Sequence, residues 1–325
     1  MQSIRPIFLF VLLLALPGIS QAALGDYFVT TAWLEKNRSH IVVIDVRQPP
    51  LYFLGHIDGA HSVPRSSFLH TRNQVKSLVP TAAAFRELLS SLGVTPETTV
   101  VAYAEDDNPY AARFVWTLRY HGHQNSYVLD GGYDKWQAEA RETSLLPTSQ
   151  PVASHYQLDA DAKYLQARAE ADYIYTRLEN PGVRVWDTRR DAEYLGTEVR
   201  ADRGGHIPGA VHLNWTELQT EIDGAKVLKS REQIVALLES HGLSPDKEII
   251  AHCQTGIRSS YATLVLLGLG YRLAKNYDGS WIEWANNPTL PIINANGEIH
   301  SSVQVSLSLS EKISDNRDDN KEVIQ

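Results

Sequence analysis

The residue with the clearest chemical potential is Cys253, the single cysteine among 325 residues. It stands in the stretch IIAHCQTGIRSS, at positions 249–260, between a branched apolar run and a helical pattern. A thiol that follows a parallel strand and precedes a helix lies at the sheet edge where α/β proteins bind ligands. The helix dipole, inward-facing loop amides and the nearby Arg258 all favour thiolate over thiol. We therefore expect Cys253 to be a nucleophile facing an anion, rather than a small buried hydrophobic side chain.

The elements that would position this loop occur twice in the chain. Four motifs recur in the same order, at offsets of 142 to 150 residues. They are IVVIDVR and VRVWDTR (41–47 and 183–189), GHIDGA and GHIPGA (55–60 and 205–210), LLSSLGVTPETTVVAYA and LLESHGLSPDKEIIAHC (88–104 and 237–253), and LDGGYDKW and YDGSWIEW (129–136 and 277–284). Apolar β-branched runs alternate with helical patterns that end in glycine, which predicts mostly parallel sheets covered by helices on both faces. The chain is therefore interpreted as a tandem duplication of one α/β domain.

The boundaries follow from the limits of these patterns. We expect an N-terminal domain over 23–142, a polar linker over 143–156 and a C-terminal domain over 157–294. Residues 295–325 lose periodicity and become polar, which is typical of a disordered tail. Residues 1–22, MQSIRPIFLFVLLLALPGISQA, have the charge, short apolar run and small residues of a secretory signal cut after Ala22. A periplasmic or secreted protein is predicted, with no membrane segment once this leader is removed.

Composition narrows the function classes. The chain is 43% hydrophobic and 21% charged, as in globular proteins, and its net charge of −8 argues against nucleic-acid binding. One cysteine cannot form an internal disulfide, so an exported thiol would have to be buried or used. His121, His123, His206 and His212 have no second cysteine or carboxylate cluster at ligand spacing, so we interpret them as surface or turn residues and expect no metal site.

The first copy of the repeat provides an internal comparison. Aligning the strands places Ala104 opposite Cys253, and the loop that follows contains Glu105, Asp106 and Asp107. Such a loop has no nucleophile and would repel an anionic substrate. The N-terminal domain is therefore predicted to be catalytically silent and to pack against the C-terminal domain.

Taken together, the tandem halves, the Asp-x-Arg strand end, GHIPGA, the loop CQTGIR and the DGSW segment resemble the two-domain rhodaneses, or thiosulfate sulfurtransferases. The resemblance runs from about residue 24 to residue 291. It implies tandem rhodanese-like domains, a silent N-terminal domain, and catalysis through a persulfide on the cysteine of the C-terminal domain. It also implies no cofactor, a thiosulfate donor, and cyanide or a thiol as acceptor; we expect a monomer.

The resemblance also implies roles for individual residues. Cys253 would accept the sulfur, and Arg258 would bind the oxyanion of thiosulfate. Asp187 would be a structural residue near the loop, Arg189 either a substrate ligand or half of a surface ion pair, and Trp281 either a pocket wall or a core residue. The loop amides would cradle the sulfur and the anion; they belong to Gln254, Thr255, Gly256 and Ile257.

One position departs from the family pattern. Members that use mercaptopyruvate, and some that use thiosulfate, have an arginine just before the aromatic residue that follows Asp-x-Arg, and here that position is Glu193. A carboxylate would not hold the carboxylate of a keto acid, and CQTGIR also differs from the mercaptopyruvate-type loop CGSGVT. Both differences favour thiosulfate or another small sulfane donor.

Two alternatives remain at this point. A periplasmic persulfide carrier would need the same loop as a catalyst, so the sequence does not separate the two. A cysteine phosphatase has a similar loop between strand and helix, but with one more residue before its arginine. Here Ser259 stands where that arginine would be.

Overall fold

The computed structural model describes residues 24–105, 108–157 and 167–301. The predicted leader at 1–22, the acidic residues Asp106 and Asp107, and the tail beyond residue 301 lie outside the described residues. Within the described ranges, no helix is both long and apolar enough to cross a membrane.

The first half of the described chain, residues 24–157, is called the N-terminal domain below. Its strands are β1 (Phe28–Val29), β2 (Ile41–Asp45), β3 (His56–Ile57), β4 (His61–Ser62), β5 (His70–Arg72), β6 (Val75–Leu78), β7 (Thr99–Tyr103), β8 (Ser126–Leu129) and β9 (Thr143–Ser144). Its helices are α1 (Thr31–Asn37), α2 (Pro49–Phe53), α3 (Ala82–Ser91), α4 (Tyr110–Tyr120) and α5 (Gly132–Ala138).

The second half, residues 167–301, is called the C-terminal domain. Its strands are β10 (Arg168–Ala169), β11 (Val183–Asp187), β12 (Val211–His212), β13 (Gln219–Ile222), β14 (Ala225–Leu228), β15 (Glu248–His252), β16 (Lys275–Tyr277), β17 (Ile292–Ile293) and β18 (Ile299–His300). Its helices are α6 (Ala171–Tyr175), α7 (Asp191–Tyr194), α8 (Arg231–Ser240), α9 (Ile257–Gly268) and α10 (Ser280–Asn286).

The two domains have the same sheet, as the duplication predicts. The strand order is β1-β8-β7-β2-β4 in one and β10-β16-β15-β11-β12 in the other. Every pairing within these two sheets is parallel. The central strands are apolar because helices cover both of their faces. The α/β prediction is confirmed.

The helices begin where the sequence supplies caps. Thr81 accepts a hydrogen bond from the backbone of Ala84 at the start of α3. At the start of α8, Ser230 and Gln233 form a reciprocal capping box, which satisfies two otherwise unpaired backbone donors. The equivalent helices of the two copies are therefore fixed in the same place relative to their sheets.

The domains share one apolar core rather than touching at their surfaces. A single buried cluster contains residues of α4, including Phe114 and Val115, and residues of α9, including Leu264 and Val265. Burying both helices against each other removes much apolar surface from water and fixes their relative position. The loops that follow β7 and β15 are thus held at one interface.

Two boundary regions differ from expectation. Part of the predicted linker is structured, since Thr143–Ser144 pairs with His56–Ile57 and the Tyr156 side chain is 2% exposed in the shared core. The predicted disordered tail begins too early, since Ile299–His300 pairs with Ile292–Ile293. In both places short pairings extend the ordered domain beyond the repeat motifs from which its limits were predicted.

Candidate active site

The loop that contains Cys253 has the predicted strand-loop-helix geometry. Strand β15 ends at His252 and helix α9 begins at Ile257. Gly256, which caps the helix, has φ +76°, and a Cβ built there would lie 2.6 Å from the backbone oxygen of Asp278. Both the left-handed conformation and the close approach require glycine. This turn bends the loop back toward the thiol, which the backbone N–H groups of Thr255 and Ser259 reach; of the four predicted loop amides, Thr255 is the one that the structure brings to the sulfur.

Residues in the first turn of helix α10 hydrogen-bond the backbone of the loop. The hydroxyl of Ser280 accepts a hydrogen bond from the Cys253 N–H, 3.2 Å away. The N–H groups of Trp281 and Ile282 donate to the carbonyls of Cys253 and Gln254, each at 3.0 Å. The loop is therefore fixed along its length before any ligand binds.

Cys253 is only 1% exposed and lies at the base of a cavity of about 210 Å³. The lining residues come from both domains and are Pro109, Tyr110, Arg200, Trp215, Cys253, Gln254, Thr255, Ile257 and Arg258. Pockets for drug-sized ligands occupy roughly 300 to 1,000 Å³. The volume suits a small anion.

Volume alone does not locate the chemistry. One cavity of about 520 Å³ lies between α6 and the C-terminal strands, and another of about 150 Å³ lies between α4 and α9. Neither contains Cys253 or another nucleophile paired with a base. The cavity at Cys253, of intermediate volume, is the candidate site because a thiol, loop residues and two arginines line it.

The thiol is poised to ionise. Burial opposes ionisation of Cys253, but the charge of Arg258 and hydrogen bonds from the backbone of Ser259 and Thr255 outweigh it. Together they place the pKa of the thiol below its ordinary value, as predicted. His252, next in the chain, is not the cation responsible, because burial lowers its pKa to about 4.

Arg258 lines the cavity and forms an ion pair with Glu193. Its Nη1 and Nη2 donate to the two carboxylate oxygens of Glu193 at 2.6 and 2.8 Å. Burial opposes ionisation of Glu193, but Arg258 outweighs it, and Arg190 adds to the effect; the pKa of Glu193 falls to about 2. Arg258 also interacts with the thiolate through its charge and a hydrogen bond. A bidentate pair with a carboxylate thus fixes the guanidinium beside the sulfur.

Glu193 therefore has a role that the sequence analysis did not predict. From the sequence, glutamate in place of arginine at this position indicates only a loss of keto-acid binding. In the structure, the Glu193 carboxylate accepts two hydrogen bonds from Arg258 and fixes its position. The carboxylate is 1% exposed and also accepts a hydrogen bond from Arg200 at 3.3 Å. One signal was available: Glu193 aligns with Leu51 in the copy that has no cysteine.

Arg200 is a second residue that sequence reasoning missed. It lines the cavity with its side chain 48% exposed, and its backbone oxygen accepts a hydrogen bond from Gln254 Nε2 at 2.8 Å. It lies in the segment where the second copy is longer than the first, so no repeat motif marked it. The cavity mouth thus carries a solvent-facing cation, while Arg258 is held deeper.

Arg189 does not lie on the cavity. Its side chain is 1% exposed, bonds Asp187 through Nη2 at 2.6 Å and donates to the Gly205 oxygen at 2.7 Å. Its guanidinium also stacks over the Trp281 ring, 4.3 Å from the ring centre. The possible role of Arg189 as a substrate ligand is therefore replaced by a structural one, and the alternative of a surface ion pair is replaced by a buried pair.

Asp187 and Trp281 belong to the same buried unit. Burial opposes ionisation of Asp187, but His252 and Arg189 outweigh it and lower its pKa to about 2. Trp281 is 1% exposed within the apolar core of the C-terminal domain, so it is a core residue rather than a pocket wall. This unit supports the ends of β11 and β15 under the active loop.

The equivalent place in the N-terminal domain is filled. Ala104 follows β7 as Cys253 follows β15, and the N–H of Tyr133 bonds its oxygen as Trp281 bonds that of Cys253. The cavity there is about 20 Å³, and Gln219 and Tyr261 of the C-terminal domain line it. That volume is about the size of one water molecule.

The histidines considered as ligands are placed differently from one another. His121, His206 and His212 are partly buried, but His123 is 1% exposed and its Nδ1 lies 2.9 Å from the Tyr156 hydroxyl. The prediction of a surface or turn position is thus wrong for His123 in its exposure. Among the described residues, no group of three or more histidine, cysteine or acidic side chains could hold a metal ion.

Comparison with known proteins agrees with this architecture. The model of the rhodanese-like domain matches residues 30–139 and 170–287. The chain is similar to a thiosulfate sulfurtransferase of Pseudomonas aeruginosa, with 36% identity over 78% of this chain and 90% of that protein. It is 33% identical to the sulfur carrier protein TtuD of Thermus thermophilus, over 84% of this chain and 98% of the other.

A solved structure shares the fold at lower identity. The anaerobic ergothioneine biosynthesis enzyme from Chlorobium limicola, in complex with trimethyl histidine, superimposes with a TM-score of 0.74 at 21% identity. The match covers 83% of this chain and 70% of that one. Two sheets of one topology, a cysteine loop on the second, and these matches define the class. The chain belongs to the rhodanese family and consists of two tandem rhodanese-like domains.

Proposed function

We propose that the protein is a thiosulfate sulfurtransferase that carries sulfur as a persulfide on Cys253. The observation that supports it most directly is a buried thiol with a lowered pKa, between loop amides and a fixed arginine, under a cavity of small-anion size. The Pseudomonas aeruginosa relative, 36% identical over most of both chains, is named for this activity.

The first step is a nucleophilic displacement. The Cys253 thiolate attacks the outer sulfur of thiosulfate, a new S–S bond forms, and the S–S bond of thiosulfate breaks. Its electron pair leaves with sulfite, which is a dianion as thiosulfate was. The resemblance gives the oxyanion of thiosulfate to Arg258, but both terminal nitrogens of Arg258 bond Glu193. Arg200, which lines the cavity and is partly exposed, is therefore the cation that meets the sulfonate group, and Arg258 stabilises the sulfur that remains negative.

In the second step an acceptor removes the sulfur. Cyanide or a thiolate attacks the outer sulfur of the persulfide, and the electron pair of that S–S bond returns to Cys253 as thiolate. In the persulfide the negative charge lies on the outer sulfur, one S–S bond beyond the Cys253 sulfur, so it stays close to the loop amides and to Arg258. No step requires a metal or a redox cofactor.

The donor follows from charge. The sulfonate of thiosulfate is bonded directly to the outer sulfur, whereas the carboxylate of mercaptopyruvate lies three bonds from its sulfur and would need a cation at a different place in the cavity. Relatives that use mercaptopyruvate, and some that use thiosulfate, have arginine at the position of Glu193. Here Glu193 stays ionised and accepts from both terminal nitrogens of Arg258. Thiosulfate is therefore proposed over mercaptopyruvate as sulfur donor.

The experiment compares the protein with Cys253→Ser in thiocyanate formation from thiosulfate and cyanide. We expect activity in the native chain, none in the variant, and at least tenfold lower kcat/KM with mercaptopyruvate. Arg86→Lys, an exposed substitution on α3 of the other domain, is the control and should keep full activity. Equal turnover of the two donors would contradict the choice of donor, and activity in Cys253→Ser would contradict the mechanism.

A persulfide carrier is the second candidate, favoured by the similarity to the Thermus thermophilus sulfur carrier protein. A carrier would load from thiosulfate yet discharge slowly to small acceptors. Single-turnover discharge of the loaded protein to cyanide and to a small thiol separates the two. Discharge slower than about 0.01 s⁻¹ to both, far below the typical kcat range, would favour the carrier.

For location, we propose export to the periplasm or beyond, with removal of residues 1–22. The support is the leader pattern of the sequence. The mature protein recovered from the periplasm or medium should begin at Ala23. Recovery of a cytoplasmic protein that still begins at Met1 would contradict export.

A further inference from the structure

Helices α4 and α9 occupy equivalent places in the two domains, yet they present different side chains across the interface. Each helix is closed by a glycine of the same backbone conformation, Gly122 and Gly270, both with φ +93°. Counting back from these glycines places Arg113 of α4 opposite Tyr261 of α9. The silent domain therefore offers an arginine where the domain with the cysteine offers a tyrosine.

Arg113 reaches from the silent domain into the active loop. Its side chain is 0% exposed, and Nη1 donates to the Gly256 oxygen at 3.2 Å. Its Nη2 donates to Asp278 Oδ1 at 2.6 Å and to the Ser77 oxygen at 2.7 Å. The planar guanidinium thus joins its own domain, the loop and the turn after β16 in one fixed fork.

The Gly256 oxygen is the part of the loop that this contact controls. It also accepts hydrogen bonds from Ser260 Oγ at 2.6 Å and Asn276 Nδ2 at 3.1 Å. Because a trans peptide is planar, fixing this carbonyl toward the domain interface turns the N–H of Ile257 the opposite way. The Gly256–Ile257 peptide lies between the Thr255 and Ser259 amides that hydrogen-bond the Cys253 sulfur, so the path of the backbone that positions those two amides is set partly by the other domain.

Asp278 completes the arrangement. Its Oδ2 accepts a hydrogen bond from the backbone N–H of Val79 in the silent domain at 3.1 Å. Its own backbone oxygen lies where a side chain at Gly256 would be, 2.6 Å from the Cβ position. Asp278 thus hydrogen-bonds the silent domain through its side chain, and its backbone oxygen leaves no room for a side chain at Gly256.

The equivalent contact at the silent site, made by Tyr261 of α9, has no arginine. Asp130, the counterpart of Asp278, accepts the N–H of Leu228 at 3.0 Å, as Asp278 accepts Val79. But Tyr261 packs its ring against Phe28 and Trp215, with ring centres 5.4 and 5.1 Å apart. Among the described residues, the hydrogen bond that joins the domains is present at both sites, whereas the arginine–aspartate contact is found at the loop that contains the cysteine.

We propose that Arg113 is a positioning residue for sulfur transfer: it holds the Gly256 carbonyl so that the loop amides stabilise the Cys253 thiolate and persulfide. This role rests on the proposed function. It gives the domain without a nucleophile a specific task in the reaction, beyond packing.

The test compares Arg113→Met with Arg113→Lys. Lysine keeps a positive charge beside Asp278 but has a single nitrogen, which cannot hold Gly256, Asp278 and Ser77 together. We expect lysine to recover most of the stability that methionine loses, while both variants show a raised Cys253 pKa. In both, kcat/KM with thiosulfate should fall about 10- to 100-fold, as expected when reacting groups are misplaced.

The thiol pKa is measured from the pH dependence of iodoacetamide alkylation, which needs no sulfur donor and so does not depend on the proposed activity. Asp130→Asn is the matched control: it weakens the equivalent interdomain hydrogen bond at the silent site and should leave the thiol pKa unchanged and kcat/KM within twofold. A thiol pKa in Arg113→Lys equal to that of the native chain would overturn the proposal. So would an equal shift in Asp130→Asn.

If neither Arg113 variant folds, Ser260→Ala decides instead. It removes the 2.6 Å donor to the Gly256 oxygen, together with the hydroxyl that accepts from Arg113 Nη1 at 3.4 Å and from Asn276 Nδ2 at 3.0 Å, and leaves the Arg113–Asp278 pair in place. A raised thiol pKa supports control of the thiolate through this carbonyl, and an unchanged one overturns it. If the native protein takes no sulfur from thiosulfate but the variants show these pKa shifts, the proposed function is refuted and the positioning of the loop by Arg113 stands.

Discussion

Replacing Arg258 with methionine should damage both the fold and the chemistry, and a second substitution should separate the two effects. Methionine fills similar space but leaves the Glu193 carboxylate, 1% exposed, without its bidentate partner. It also removes the charge that, with the loop amides, lowers the thiol pKa. The single variant should therefore be less stable and should have a less ionised thiol.

The size of the structural effect follows from the carboxylate. The pKa of Glu193 is about 2 rather than 4.5, and each pKa unit corresponds to about 1.4 kcal/mol. The whole set of contacts therefore favours the ionised form by about 3 kcal/mol, of which Arg258 supplies the largest part. We expect Arg258→Met to lower the free energy of unfolding by about 2 kcal/mol, since Arg190 and Arg200 remain.

The effect of Arg258→Met on catalysis should be larger than its effect on stability. Removing one preorganised donor of this kind typically lowers kcat by about 100- to 1,000-fold. The pair Arg258→Met with Glu193→Gln leaves no buried unpaired charge, so stability should recover while activity does not. Urea unfolding, iodoacetamide alkylation against pH and thiosulfate–cyanide turnover are measured on the native chain, both single variants and the double variant.

Arg47→Met is the matched control. It breaks the buried Asp45–Arg47 pair of the silent domain, whose Nη2–Oδ2 distance is 2.6 Å, and should cost stability without raising the thiol pKa. Recovery of activity in the double variant, or an unchanged thiol pKa in Arg258→Met, would refute the role given to Arg258.

Two further outcomes are expected. Gly256→Ala should lose about 1 to 3 kcal/mol of stability, from the φ of +76° and the contact with the Asp278 oxygen, with a lower melting temperature and weaker transfer; unchanged melting would contradict the close approach. Because the folded pKa of Glu193 lies below its ordinary value, its stabilising effect is present above about pH 4.5 and is lost as pH falls toward 2. The stability difference between Arg258→Met and the native chain should therefore shrink over this range in acid urea titrations, and a constant difference would contradict the ion pair.

Much of the fold could be predicted from the sequence because it is encoded locally. The apolar runs of β2 and β15, the capped helices and the repeated motifs specify strands, helices and a common sheet order. The limits of the domains were less predictable, because short pairings such as Thr143–Ser144 with His56–Ile57 carry almost no local pattern. They form only once the neighbouring strand is in place.

The site divides in the same way. Cys253, Gly256 and Arg258 lie within six residues of chain, so one strand-loop-helix pattern places them together. Glu193 and Arg200 come from a separate segment, and contact with them depends on how that segment folds over the sheet. A repeated motif can also mislead: Arg189 was considered as a substrate ligand, yet Arg47 makes the same buried pair in the domain without a nucleophile.

Residues across a domain interface are the hardest to predict. Arg113 lies 140 residues from Cys253 in sequence, and only the packing of α4 against α9 brings it to the loop. The sequence signal for the role of Arg113 is that the two copies differ at this position, with arginine in the first and tyrosine in the second. Asymmetry between repeats is thus more informative about the site than the motifs they share.

The most direct test of the account is the mass of the protein after mixing with thiosulfate. Trypsin should release residues 248–258, which contain Cys253 between cleavage sites at Lys247 and Arg258. We predict that this peptide gains the mass of one sulfur atom and loses it again on addition of cyanide, with thiocyanate released in equal amount. An accessible, ionised thiol that gains no sulfur from thiosulfate would contradict the account.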